Sequence, residues 1–148
     1  MALPHDSEIA RLFEAVRNFA PRQGRYSRAK SIAETAMSVI VQARDGLLER
    51  SVVIKELKSQ DDGDEVASAR RLRRFLDEAR ITSQLDHPSI VPVHDIGVDE
   101  NGTPYFAMKL VRGESLTRSF ERERAGEEGW SQTRMVGVLL KVCEAMSY

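Results

Sequence analysis

The chain has a single cysteine, Cys143, among 148 residues. That excludes an internal disulfide and any paired-thiol metal or redox site, and a reducing interior is expected. No apolar run approaches the roughly 18 to 20 residues of a membrane span, and the opening MALPHDSEIARL has no basic stretch followed by an apolar one. A cytoplasmic location is expected. Neither sign of charge is in excess: 22 Lys and Arg stand against 23 Asp and Glu, so nothing points to nucleic acid or an anionic membrane as partner. Repeats and low-complexity tracts are missing. The three histidines, His5, His87 and His94, share no metal-ligand spacing, and no metal site is expected.

What remains is the composition of one soluble globular domain, 41% hydrophobic and 30% charged. The segment DSEIARLFEAVRNFAP carries Ile9, Leu12, Phe13 and Val16 at helical spacing, with Pro21 as a stop and the polar linker RQGR behind it. From Tyr26 the pattern changes. MSVIVQA and SVVIKEL read as strands joined through the Asp45-Gly46 turn signal, and IVPVHDIGV and PYFAMKLV as strands joined through Asn101-Gly102. Between the pairs, Val66, Ala69, Leu72, Leu76 and Ala79 recur at three- and four-residue steps behind the acidic DDGDE, which predicts a helix. GESLTRSFERERAGEEGW reads as a short helix and a charged loop. In the tail, Val136, Leu139, Leu140, Cys143 and Met146 form a helical stripe behind Ser131 as a cap.

Lys55 stands out within SVVIKEL. Alternation puts Val53, Lys55 and Leu57 on one face of a strand and Val52, Ile54 and Glu56 on the other, so a charge must enter a buried face. A desolvated ammonium costs several kcal/mol unless it finds a partner or an anionic ligand. Glu78, bordering the apolar stripe beside Phe75 and Ala79, is positioned to reach it if the helix packs on the sheet. The bland alternative is an edge-strand lysine, with Glu78 paired to Arg74 one turn back on its own helix.

VVIK resembles the V-A-I-K strand of protein kinases, and FLDEARITSQLDHPSIVPVHDIG resembles their αC helix and its exit into the fourth strand. YFAMKLVRGESL is similar to the fifth strand and hinge, and LLKVCEAMSY to the αE helix. The resemblance spans Tyr26 to Tyr148 and is nearest to Ser/Thr kinases of bacterial type. It implies an α+β fold: a five-stranded antiparallel sheet with one long helix, as in a kinase N-lobe, plus an N-terminal helix and the first helices of the C-lobe. Residues 1–25 would form the helix and linker, 26–112 the N-lobe and 113–148 the start of the C-lobe. It implies ATP and Mg²⁺ as the family's cofactors, with Lys55 on the α- and β-phosphates and Glu78 holding Lys55. His87 matches a structural cap after αC.

Three departures bear on function. On the glycine-rich pattern G-x-G-x-x-G-x-V, the glycine positions hold Ala33, Thr35 and Ser38, and Ile40 stands for the valine. A Cβ hinders close backbone approach to phosphate, most at β-branched Thr35, so this loop is expected not to cover a triphosphate. Val53 replaces the alanine that lines the family's adenine pocket. At the hinge, Lys109 replaces an acid after Met108, which matters less because the family's adenine contacts there are backbone groups, here of Lys109 and Val111. The chain also stops within the αE pattern, before any catalytic loop or metal-binding segment, so by itself it is expected to be incompetent for phosphoryl transfer and to bind no cofactor. Two readings follow: the N-terminal part of a Ser/Thr kinase, or a pseudokinase that binds proteins with a closed nucleotide pocket. The apolar stripe of the last helix, or the N-terminal helix, is expected to mediate self-association or to meet a protein partner.

Overall fold

The computed structural model describes residues 11, 14, 24–59 and 64–148. The expected N-terminal helix lies outside the described residues apart from Arg11 and Glu14, which are helical. The chain divides into two compact units, residues 1–85 with 92–110, and residues 86–91 with 111–148.

The first unit is an antiparallel sheet with a helix on it. Its strands are β1 (Tyr26–Glu34), β2 (Ser38–Asp45), β3 (Arg50–Leu57), β4 (Val93–Val98) and β5 (Pro104–Lys109), with α1 (Glu65–Ser83) inserted between β3 and β4. The sheet order is β1-β2-β3-β5-β4. Helix α1 starts where Asp64 accepts the Ala67 N–H at 3.0 Å, an N-cap that also places a negative charge at the positive end of the helix dipole. Its buried residues are Ala69, Leu72, Phe75, Leu76 and Ala79. Val66, expected in that stripe, is half exposed in the first turn of the helix.

Strand alternation makes two cores, one on each face. Leu72, Phe75, Leu76 and Ala79 of α1 pack with Val98 and Phe106, joined by Leu57, Val93, Ile96 and Met108. On the other face Val41, Ala43, Val52, Ile54, Tyr105 and Ala107 cluster with Tyr26 and Val39. Each large aliphatic or aromatic side chain so buried contributes roughly 1.5–3 kcal/mol, which is what holds a 19-residue helix on the sheet. Tyr26 and Tyr105 meet edge to face at 5.8 Å, and Phe75 meets Phe106 at 5.0 Å.

The hairpin ends follow the turn signals. Asp45, fully buried, accepts the Leu47 and Leu48 N–H groups, and Glu49 takes a left-handed φ of 51° to bring the chain back into β3. Asp99 accepts from Asn101 and Thr103, with Gly102 at φ 78° where a side chain would be strained.

The second unit is helical: α2 (Leu116–Arg124) and α3 (Gln132–Met146), capped by Ser115 and Ser131, whose hydroxyls accept the Arg118 and Arg134 N–H groups. Trp130 lies between the guanidinium groups of Arg122 and Arg134 at 5.1 and 4.2 Å. Arg122 also binds Glu114 and Glu127, so the charged loop has a definite internal structure. His87 accepts the Ser89 N–H at Nδ1, 3.1 Å away, and its carbonyl accepts from Ile90, the local capping role expected of it.

Candidate functional site

The register of β3 decides what surrounds Lys55. It lies opposite Ile40 of β2 and Phe106 of β5, and with Val53 and Leu57 it faces α1. Its side chain is only 18% exposed, whereas that of Glu78 is 50% exposed. Lys55 Nζ donates to Glu78 Oε1 at 2.5 Å and stands 5.6 Å from the Phe106 ring centre. Of the two arrangements the sequence leaves open, the cross-element pair is formed. Glu78, two residues past buried Leu76 and three past buried Phe75, is half exposed at the edge of the apolar stripe and reaches it from there. The result is a cation whose stem is buried and whose head sits at the solvent boundary, held by a single acid: a geometry suited to a second anion.

The opposite face also receives a charge. Glu56 is 11% exposed at its side chain and accepts from Arg28 at 2.5 Å. Burial pushes its carboxyl above the usual range, with Arg28 opposing. A hollow of about 300 Å³ lies on that side, lined by Tyr26, Arg28, Ile54, Glu56, Asp99 and Tyr105 among others. None of the site residues expected from the sequence lines it.

At the loop between β1 and β2, Ala33 is still in register with Ile40, and the hairpin turns over Thr35–Ser38. The Thr35 N–H donates to the Ser38 carbonyl at 2.8 Å, the Ser38 N–H donates to Thr35 Oγ1 at 3.0 Å, and the two hydroxyls meet at 2.9 Å. Ser38 is buried. Among the described residues Glu49 is the non-glycine residue with positive φ, so Ala33, Thr35 and Ser38 make the turn in conformations that need no glycine. The strain expected at β-branched Thr35 is avoided by a different turn, not tolerated. Two of its N–H groups point into the turn itself.

Farther along β3, Val53 is buried and in register with Met108 of β5. Met108 is half-buried and packs on the α1 core. Lys109 is exposed, and its N–H donates to the Pro92 carbonyl at 3.1 Å. Val111 is exposed and belongs to the second unit. The first unit therefore gathers Lys55, Glu78, Ala33, Thr35, Ser38, Ile40, Val53, Met108 and Lys109. Lys55 with Glu78 fits a phosphate. Among the described residues no group of three His, Cys, Asp or Glu converges to hold a metal ion.

The sequence profile described as "Protein tyrosine and serine/threonine kinase" matches residues 28–148. The chain belongs to the protein kinase family. It is 33% identical over 131 residues to "Serine/threonine-protein kinase PknD" of Protochlamydia amoebophila, covering 83% of this chain and 13% of that one. It is 40% identical over 103 residues to "Serine/threonine-protein kinase PknA" of Mycobacterium tuberculosis, covering 67% and 23%. The chain thus spans less than a quarter of the length of these curated relatives. The solved structure "PpkA-294 apo form" superposes with a TM-score of 0.57 at 26% identity, over 69% of this chain and 41% of that one. These relatives place the chain with bacterial-type Ser/Thr kinases, and the sheet with its single long helix is the kinase N-lobe. The family's cofactors are ATP and Mg²⁺. Among the described residues no helix is long and apolar enough to cross a membrane.

Sequence reasoning missed two features of this lobe. Arg25, in the linker, donates to both oxygens of Asp45 at 3.0 and 2.8 Å and to Asp95 at 2.9 Å. Lys58, just past β3, donates to the Thr35 carbonyl at 2.7 Å and pairs with Glu34 at 2.5 Å. Neither belongs to a spacing pattern, since each joins segments at least 20 residues apart.

Proposed function

We propose that this chain supplies the nucleotide-binding part of a Ser/Thr protein kinase, with Lys55 as the anchor for the α- and β-phosphates of ATP and Glu78 as the residue that fixes Lys55. The kinase-like lobe is taken as residues 26–112, preceded by a helix and linker over 1–25 and followed by the start of the C-lobe over 113–148. The observation that carries the reading is the 2.5 Å contact between Lys55 and Glu78, made between a strand and a helix across 23 residues of sequence. Bound Mg·ATP would supply the transferable phosphoryl group. What the chain's own residues do is place one cation at the triphosphate and keep its position by a carboxylate.

A second reading, a pseudokinase working as a protein-binding module, is favoured by the self-bonded turn over Thr35–Ser38 and by Val53 in the adenine wall. Thermal shift with ATP and Mg²⁺ separates the two. At a hundred times its dissociation constant a ligand adds about 2.7 kcal/mol of stability. The first reading expects a shift that Lys55→Met abolishes; no shift at millimolar ATP supports the second. In the second unit Val136, Leu139, Leu140 and Met146 are exposed along one helix, which supports self-association through α3. Light scattering that finds a monomer at high concentration ends that idea.

A further inference from the structure

The β1–β2 turn is held from two directions. Internally, the Thr35 and Ser38 N–H groups are bonded within the turn. Externally, Lys58 draws it against the end of β3: its N–H donates to the Met37 carbonyl at 2.9 Å, and its ammonium donates to the Thr35 carbonyl at 2.7 Å and pairs with Glu34 at 2.5 Å. The Lys58 side chain is 24% exposed, so these are not contacts of a freely solvated lysine. The Glu34 carboxyl is held below its usual range by the Lys58 hydrogen bond.

For such a turn to cover phosphates, its N–H groups must leave the Ser38 carbonyl and the Thr35 hydroxyl and turn to the anion. Lys58 opposes that movement by fixing both the carbonyl and the acid on its near side. We infer that Lys58 is a positioning residue for the phosphate lid, holding the β1–β2 turn as a closed hairpin and withholding it from the nucleotide that Lys55 anchors. This rests on the nucleotide-binding reading above. Affinity for a nucleotide that needs an open turn is reduced by the fraction of molecules in which the turn is open. Releasing the latch raises that fraction.

The test uses the 148-residue chain and reads two quantities: amide hydrogen exchange at Thr35 and Ser38, and the dissociation constant for Mg·ATP by calorimetry. Lys58→Ala is made in a Glu34→Gln background so that no unpaired carboxylate is released beside the phosphates. Relative to Glu34→Gln alone, exchange at both amides is expected to rise about tenfold, and ATP to bind at least about threefold more tightly. Lys58→Arg, which keeps a cation there, is expected to stay within about twofold of the wild type in both. Unchanged exchange in the alanine variant overturns the proposal. So does faster exchange with equal or weaker ATP affinity, since Lys58 would then order the turn without withholding it. If no form binds ATP at millimolar concentration, the nucleotide reading falls, and the exchange result still decides whether Lys58 holds the turn.

Discussion

Two charge clusters in the same sheet are built from the same chemistry and do different work. Arg25 with Asp45 and Asp95 is buried: the side chains are 13%, 0% and 11% exposed, Tyr26 adds its hydroxyl to Asp95 at 3.0 Å, and Asp45 also accepts two backbone N–H groups. Lys55 with Glu78 is shorter, yet Glu78 is half in water. Short distance does not make the second cluster the more important one for folding, because solvent screens an exposed acid and desolvation magnifies the loss of a buried one. The buried cluster joins the start of β1 to the β2–β3 turn and to β4. The rim cluster joins β3 to α1 at the solvent boundary, where the proposed phosphate anchor stands.

Removing one partner from the buried cluster should therefore give the largest effect. Asp45→Ala is expected to lower unfolding free energy by about 3 kcal/mol, since it strands Arg25 without its bidentate partner; urea titration measures it. A loss below about 1 kcal/mol would place this cluster with ordinary surface pairs.

Acid should reveal the same cluster with a smaller amplitude. The hydrogen bond from Arg25, aided by the Leu48 and Leu47 N–H groups and opposed by burial, holds the Asp45 carboxyl down to about 2. A carboxyl whose folded pKa lies below its unfolded value stabilises above the unfolded value, and that contribution is lost as pH falls through the folded one. Stability is thus expected to decline between about pH 4 and pH 2 more steeply in the wild type than in Asp45→Asn. Parallel acid limbs in the two proteins would break the comparison.

The smallest effect on stability belongs to the Lys55–Glu78 pair. Lys55→Met keeps the buried stem and removes the charge, and should change unfolding free energy by no more than about 1 kcal/mol. A loss as large as that from Asp45→Ala would mean that Lys55 serves the fold before it serves a ligand.

Much of this arrangement was legible in the residues. The spacing of Ala69, Leu72, Leu76 and Ala79 gave the helix, Asp45-Gly46 and Asn101-Gly102 gave the turns, and the oddity of a lysine among Val52, Val53 and Ile54 led to Glu78. What could not be read was the bonding of the β1–β2 turn. Ala33, Thr35 and Ser38 showed that a glycine-dependent loop was excluded. They did not show the turn that replaced it: the Thr35 and Ser38 hydroxyls bond within it, but the rest of its bonds run through backbone carbonyls and through Lys58, which belongs to no spacing pattern. Arg25 was hidden for the same reason, as one arginine in a linker with acids 20 and 70 residues away. Val66 belongs to the helix as its spacing predicts and yet is half exposed, because periodicity marks a helix face without marking how deeply each position is buried.

By itself the sequence determined which segments are strands and helices and which charge had to enter the sheet, since alternation and helical spacing are local properties of the chain. Only the tertiary structure decided which acid met which cation and how the β1–β2 turn is bonded. Those outcomes depend on distances between segments remote in sequence and on how much water remains between them, and neither is written in any one stretch of residues.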